Sequence, residues 1–311
     1  MDTVMSFTLY GGEEDTGVLR LRIPEELGTL EGLVSAVRED SDVSRINRGA
    51  GQAVKVDPAT ARLLARAWEL CEITDGALDI TAYPAVKTWG FTTGEYRVPA
   101  EGELAELAER IDYTAVKLEG NSVTLPAGME LDLGAVAKGY AGDVLAETAR
   151  ANGLTSALLD LGQSTIMAVG TKPGGKPWRI GIVDPAQPGS YFAVVELTGM
   201  AMGTSGGYQR YFERDGEVWW HILDPKTAAP ARSGLASVTV VSPSALACDG
   251  LSTALFVMGL EAGARFWRDH PELQFDAVFV TEEGEIYRTA GLEGCFSLAE
   301  GYEDREVTVL E

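Results

Sequence analysis

Apolar and polar positions alternate over residues 7–10 and 18–23, on either side of a Gly-rich stretch, which predicts a β-hairpin. From 24 to 37 the period lengthens, placing Leu27, Leu30, Leu33 and Val34 on one side of a helix. Asp57-Pro58 opens the next helix, because Asp caps free N–H groups and Pro fits the first turn. Leu63, Leu64, Ala67, Trp68 and Cys71 continue it at helical spacing to Ile73, and Asp75-Gly76 stops it. Residues 99–111, 136–151, 244–258 and 260–267 carry further helical patterns, and Gly153 suits a left-handed helix end. Strands are predicted over 157–161, 165–169, 178–183, 192–197 and 236–241, with hairpins around Gly120-Asn121, Asp215-Gly216 and Glu283-Gly284. Helices do not alternate with strands as a doubly wound sheet requires. The pattern therefore predicts an α+β fold of mixed, largely antiparallel sheets with packed helices.

The chain's 311 residues, 45% of them hydrophobic, suffice for one large domain or for two intimately associated lobes, 1–127 and 128–311. Lys plus Arg number 25 against 47 Asp plus Glu, a formal charge of −22. That surface argues against nucleic acid or an anionic membrane as the main partner. A polyphosphate ligand would need local positive charge or a metal ion. Cys71, Cys248 and Cys295 form no CxxC and no short spacing, so neither a disulfide framework nor a structural zinc site is expected. Apolar runs fall short of the ~18 residues of a membrane span, and no signal-peptide pattern opens the chain.

Candidate chemistry concentrates in a few segments. Asp249 and Thr253 stand four apart in a helical run, which puts a carboxylate and a hydroxyl on one helix face. Both are hard oxygen donors of the kind Mg²⁺ takes when it also holds phosphates; the alternative is a first-turn or capping Asp. Lys138 sits in a first helical turn, where the dipole disfavours a cation, and either has an anionic partner or is solvated. Gly203-Thr204-Ser205-Gly206-Gly207-Tyr208 is a candidate phosphate-cradling loop or a plain tight turn. Asp75 and Asp79 could hold a polar substrate group or close a turn. His221, ahead of Asp224-Pro225, is a proton-shuttle candidate or a hydrogen-bonded strand end.

Six segments, in order, resemble the FAD:protein FMN transferases, the ApbE-like proteins long labelled thiamine biosynthesis lipoproteins. They are Ser41-Asp42-Val43-Ser44-Arg45-Ile46-Asn47, Thr74-Asp75-Gly76-Ala77-Leu78-Asp79, the run from Asp132 to Tyr140, Thr204-Ser205-Gly206, His221 to Thr227, and Cys248 to Ala254. The resemblance implies an ApbE-like fold and an enzyme that binds FAD and Mg²⁺. Such an enzyme transfers FMN to a Thr or Ser hydroxyl of an acceptor flavoprotein and releases AMP. It implies a metal held by the Ala135 carbonyl, Asp249 and Thr253. FAD would be lined by Met1, Ala77, Leu78, Asp79, Asp132, Lys138, Ser205 and Leu223, with His221 and Asp224 as catalytic residues. A Mg²⁺-dependent FAD pyrophosphatase and a non-catalytic FAD-binding protein are the competing readings.

The family's glycine after its HIIDPRT segment is Ala228 here, its Gly-Gly-Asp reads Gly162-Gln163-Ser164, and an aromatic that offers a stacking surface is Val37. Met1-Asp2-Thr3 resembles a motif that lies inside the family's precursors. An upstream signal or lipid-anchoring segment and an extracytoplasmic, cell-envelope location are therefore expected, with the cytoplasm as the alternative.

Overall fold

The structure is a computed structural model and describes residues 3–311. Its helices are α1 (Glu13–Val34), α2 (Asp42–Arg48), α3 (Pro58–Ile73), α4 (Tyr83–Thr88), α5 (Glu101–Ala108), α6 (Ala137–Ala151), α7 (Ala245–Met258) and α8 (Leu260–Asp269). Its first nine strands are β1 (Ser6–Tyr10), β2 (Ala53–Lys55), β3 (Lys117–Glu119), β4 (Ser122–Thr124), β5 (Ser156–Asp160), β6 (Thr165–Gly170), β7 (Trp178–Val183), β8 (Tyr191–Leu197) and β9 (Ala201–Gly206). The rest are β10 (Tyr211–Arg214), β11 (Glu217–Trp220), β12 (Leu223–Asp224), β13 (Ala229–Pro230), β14 (Leu235–Ser242), β15 (Asp276–Thr281), β16 (Ile286–Thr289), β17 (Phe296–Leu298) and β18 (Val307–Leu310). The chain divides into two compact units. The first takes residues 28–137 and 209–232; the second takes 3–27, 138–208 and 233–311.

The second unit is built on an eight-stranded sheet in the order β1-β5-β6-β9-β14-β15-β16-β18. Every neighbouring pair is antiparallel except β16 with β18. A second antiparallel sheet, β17-β8-β7, packs against it, burying Ile166, Trp178, Phe192, Val241 and Val280 in a common core. Helix α7 packs on β6, β9 and β14. It is apolar nearly all round, the composition of a helix buried on every side.

Two glycines let α7 sit close. A Cβ on Gly203 of β9 would lie 2.8–3.0 Å from atoms of Cys248, and one on Gly139 of α6 would lie 2.2 Å from the Ala245 carbonyl oxygen. Antiparallel register puts Thr165 opposite Gly203, and alternation along β9 puts Ser205 on the same face. Thr165, Gly203 and Ser205 thus lie together under α7. Thr204 belongs to the opposite face, where its hydroxyl meets that of Thr239 at 2.9 Å.

The first unit holds helices α2 to α5, the small sheet β2-β4-β3, the hairpin β10-β11 and the short ladder β12-β13. Its aromatic core includes Trp89, fully buried, with Phe91, Phe212, Trp219, Leu223 and Ala228. Asp57 caps α3 by accepting from the Ala59 N–H at 2.7 Å, as its Asp-Pro start predicts. Gly120-Asn121 turns β3 into β4.

Two expectations need correction. Residues 18–23 are helical, inside α1, and β1 pairs with β5 rather than with its neighbour in sequence. The local alternation is overridden by a longer stripe at helical spacing, Leu19, Ile23, Leu30 and Val34, all buried, while Val18 and Leu21 are exposed. Glu13, Glu14 and Asp15 in the first turn also favour the helix. The segment Gly203–Gly206 is not a loop but the end of β9, paired along its length with β14 and, at Gly203, with β6; Gly207 and Tyr208 form the turn that follows. Helices α2 and α4 and strands β9, β17 and β18 are too short or too glycine-rich to have been predicted.

Candidate active site

In the second unit, Asp249 lies in the second turn of α7, buried to 8% relative exposure. Its Oδ2 accepts from the Gly139 N–H at 2.6 Å and its Oδ1 from the Thr165 hydroxyl at 2.6 Å. Burial pushes its pKa up to about 6, and the nearby Asp143 adds to the rise; Lys138, the Thr165 hydroxyl and the Gly139 N–H oppose it. The charge of Lys138 thus acts on Asp249 without a direct ion pair among the described residues. Its Nζ also donates to the Ser164 hydroxyl.

One helical turn further, hydroxyls gather. Ser205 Oγ lies 2.8 Å from Ser252 Oγ and 3.0 Å from Thr253 Oγ1. Ser252 and Thr253 both donate back to the Asp249 carbonyl, at 3.0 and 3.2 Å. Asp249, Thr253, Ser205 and Lys138, all singled out from sequence, are thus gathered in one unit. Thr165, Ser164, Ser252 and Gly139 were missed. A lone hydroxyl or glycine at a strand or helix start carries no signal until register pairs it with a charged group.

These groups fit a hard cation. Among the described residues no three His, Cys, Asp or Glu side chains stand close enough to hold a metal. A Mg²⁺ ion needs no such cluster, since it binds through one or two carboxylates, other oxygens, water and substrate phosphate. A carboxylate has about four lone-pair sites. Asp249 accepts from two chain donors, one on each oxygen, and stands in no ion pair within 4.0 Å among the described residues.

In the first unit, Asp79 follows α3. Its Oδ1 accepts from the Thr81 N–H and hydroxyl at 2.8 and 2.6 Å, and its Oδ2 from the Tyr113 N–H at 2.9 Å. Ala77 and Leu78 belong to the same loop, Leu78 buried. Asp132 joins it, its N–H donating to the Ile80 carbonyl at 2.8 Å. Burial raises the pKa of Asp132, against the Gly134 N–H and the charge of Arg210. Ala135 lies two residues before α6.

The Arg210 carbonyl accepts from the His221 N–H at 3.1 Å and also meets His221 Nδ1 at 3.1 Å. A carbonyl can only accept, so in this contact Nδ1 is the donor. Leu223 and Asp224 form β12; Asp224 Oδ1 accepts from the Lys226 N–H at 2.9 Å, and its carbonyl accepts from Thr227 and Ala228. Ala228 takes φ +54°, so the turn keeps the left-handed shape that a glycine would favour, and its carbonyl accepts from Trp89 Nε1 at 2.8 Å. Val37 is exposed. Met1 lies outside the described residues.

This fold, an α+β chain with an oxygen-rich cluster under a buried helix, is that of a flavin-transferase family. Residues 1–279 match the ApbE family, and the chain belongs to it. It is 37% identical to the FAD:protein FMN transferase of Treponema pallidum, over 86% of this chain and 79% of that one. It is 36% identical to that of Haemophilus influenzae, over 73% and 68%. Among solved structures, the ApbE protein of Thermotoga maritima superposes with a TM-score of 0.87 at 32% identity, covering 93% of this chain and 94% of that one. The apo flavinyl transferase ApbE of Pseudomonas stutzeri gives 0.78 at 31%, covering 96% and 97%.

Proposed function

We propose that this protein is a Mg²⁺-dependent FAD:protein FMN transferase that moves FMN from FAD to a Thr or Ser hydroxyl of an acceptor flavoprotein, releasing AMP. The observation that carries the reading is the buried Asp249 carboxylate beside the Ser205, Ser252 and Thr253 hydroxyls, in a chain whose named relatives are FMN transferases.

In this reading Asp249 and Thr253 hold the ion, and the Ala135 carbonyl is the third ligand implied by the resemblance. Bound there, Mg²⁺ would neutralise phosphate charge in an in-line displacement. Lys138 adds positive charge that an otherwise acidic chain lacks. The acceptor oxygen bonds to the FMN phosphorus of FAD while the bond from that phosphorus to the bridging oxygen breaks, and AMP leaves. The hydroxyl proton goes to His221, whose ring is held through Nδ1 by the Arg210 carbonyl. Asp224 holds the turn that follows His221. Asp79 and Asp132 shape the loop that lines FAD.

Incubation with FAD and Mg²⁺, with and without an acceptor domain, read by mass spectrometry, tests this. One FMN added to the acceptor, with AMP released, is the expected result. Free FMN and AMP regardless of acceptor would make the protein a pyrophosphatase, and intact FAD would make it a binding protein.

A further inference from the structure

We propose that Thr165 is a positioning residue for the metal-binding carboxylate: its hydroxyl fixes the plane of Asp249 so that the remaining lone pairs are aimed at the ion. This rests on the metal reading of Asp249 given above. Thr165 is fully buried at the first position of β6, where its carbonyl accepts from the Leu161 N–H at 2.9 Å. Its one hydroxyl proton is committed to Asp249 Oδ1 at 2.6 Å, because an ionised carboxylate can only accept.

The Gly139 N–H on Oδ2 is the second restraint, and two donors on opposite oxygens stop rotation of the carboxylate about its bond to Cβ. A β-branched residue suits the task, since its χ1 is stiff and holds the hydroxyl without further restraint. The turn leading to Thr165 is itself built. Asp160 Oδ1 accepts from the Gly162 and Gln163 N–H groups at 3.0 and 2.6 Å, and Gln163 takes φ +66°. The same turn delivers the Ser164 hydroxyl to Lys138. One loop therefore orients both charged groups of the cluster.

The test is titration calorimetry of the whole chain with Mg²⁺ alone, without FAD, alongside urea unfolding. Outer hydrogen-bond partners of metal ligands are typically worth about 10–100-fold in affinity. Thr165→Val is expected to weaken Mg²⁺ binding by about that factor. Thr165→Ser, which keeps the hydroxyl and loses only the methyl group, stays within a few-fold of the parent. Thr165→Ala serves in place of Val if Val does not fold. A purely structural role would lower the urea midpoint of Ser and Ala alike and leave Mg²⁺ affinity unmoved, which overturns the proposal while leaving Asp249 as ligand. Unaltered Mg²⁺ binding in Asp249→Ala, or none in the parent chain, overturns the metal reading and this proposal with it.

Discussion

Two carboxylates, half-buried Asp79 in one unit and buried Asp249 in the other, are treated differently by the fold. Asp79 receives three chain donors, two on one oxygen and one on the other, and ties the loop after α3 to Thr81 and Tyr113. Asp249 receives two, both at 2.6 Å, in a helix otherwise lined with Leu246, Leu251 and Leu255. Burial raises the pKa of both. Asp42 marks the other extreme: it pairs with Arg45 and also accepts from the Asp57 N–H and the Thr60 hydroxyl, and these together pull its pKa down despite burial. A buried charge is costly unless it is paired and hydrogen-bonded. Asp42 is complete within the protein and Asp79 is nearly so; Asp249, with two donors, is the least complete of the three.

The sharpest break of that comparison is Asp249→Ala. Loss of a metal clamp worth several kcal/mol should cut Mg²⁺-dependent FMN transfer by roughly 10²–10³-fold or more. The fold should persist, because the cost of orphaning the Gly139 N–H and the Thr165 hydroxyl is partly offset by removing a buried charge. Steady-state transfer assays and near-UV circular dichroism check both halves. Turnover equal to the parent's would end the metal assignment.

Asp79→Ala should reverse the pattern. It orphans three donors, so unfolding free energy should fall by roughly 2–4 kcal/mol. Metal affinity should not change. Urea melts and Mg²⁺ titration separate the two, and a metal defect larger than the stability defect would erase the distinction between Asp79 and Asp249.

Acid titration of the metal-free protein sharpens it further. The folded-state pKa of Asp249 is raised to about 6, above the ordinary Asp value. Below about pH 4 the group is protonated in both states, and between about 4 and 6 only the folded state keeps the proton. Its contribution to stability is therefore full at low pH and lost as pH rises through about 6. Mg²⁺ competes with that proton, so stabilisation by added Mg²⁺ should grow above about pH 6 and fade below it. Urea midpoints at about pH 5, 6 and 7 for the parent and Asp249→Asn check this: the difference between the two proteins should change across that window.

The smallest effect belongs to Ala228→Gly. Relief of a left-handed alanine, about 1–2 kcal/mol, is offset by a lost buried methyl, about 0.8 kcal/mol, and by a floppier unfolded chain. Stability should stay within about 0.5 kcal/mol of the parent. A loss near 2 kcal/mol in thermal melts would instead make the Ala228 methyl a packing anchor of the Trp89 core.

Much of this was legible in the chain. Long periodic runs give α3, α6 and α7 to within a residue or two, because a stripe of buried side chains repeats over several turns. The six ordered motifs identify the family without any coordinates. Short alternation misled at residues 18–23, where six positions fit a strand and a helix equally and only the stripe through Val34 decides.

What the sequence determined by itself is the inventory: an α+β chain, its later hairpins, and the residues Lys138, Ser205, Asp249 and Thr253 that can bear charge or bind a cation. Tertiary structure alone decided which of them meet, and with what. Thr165 reaches Asp249 across 84 positions, because β6 pairs with β9 in one register and Gly203 lets α7 settle on that face. Sheet register and close helix approach are set by long-range packing, and no local window of sequence contains both partners.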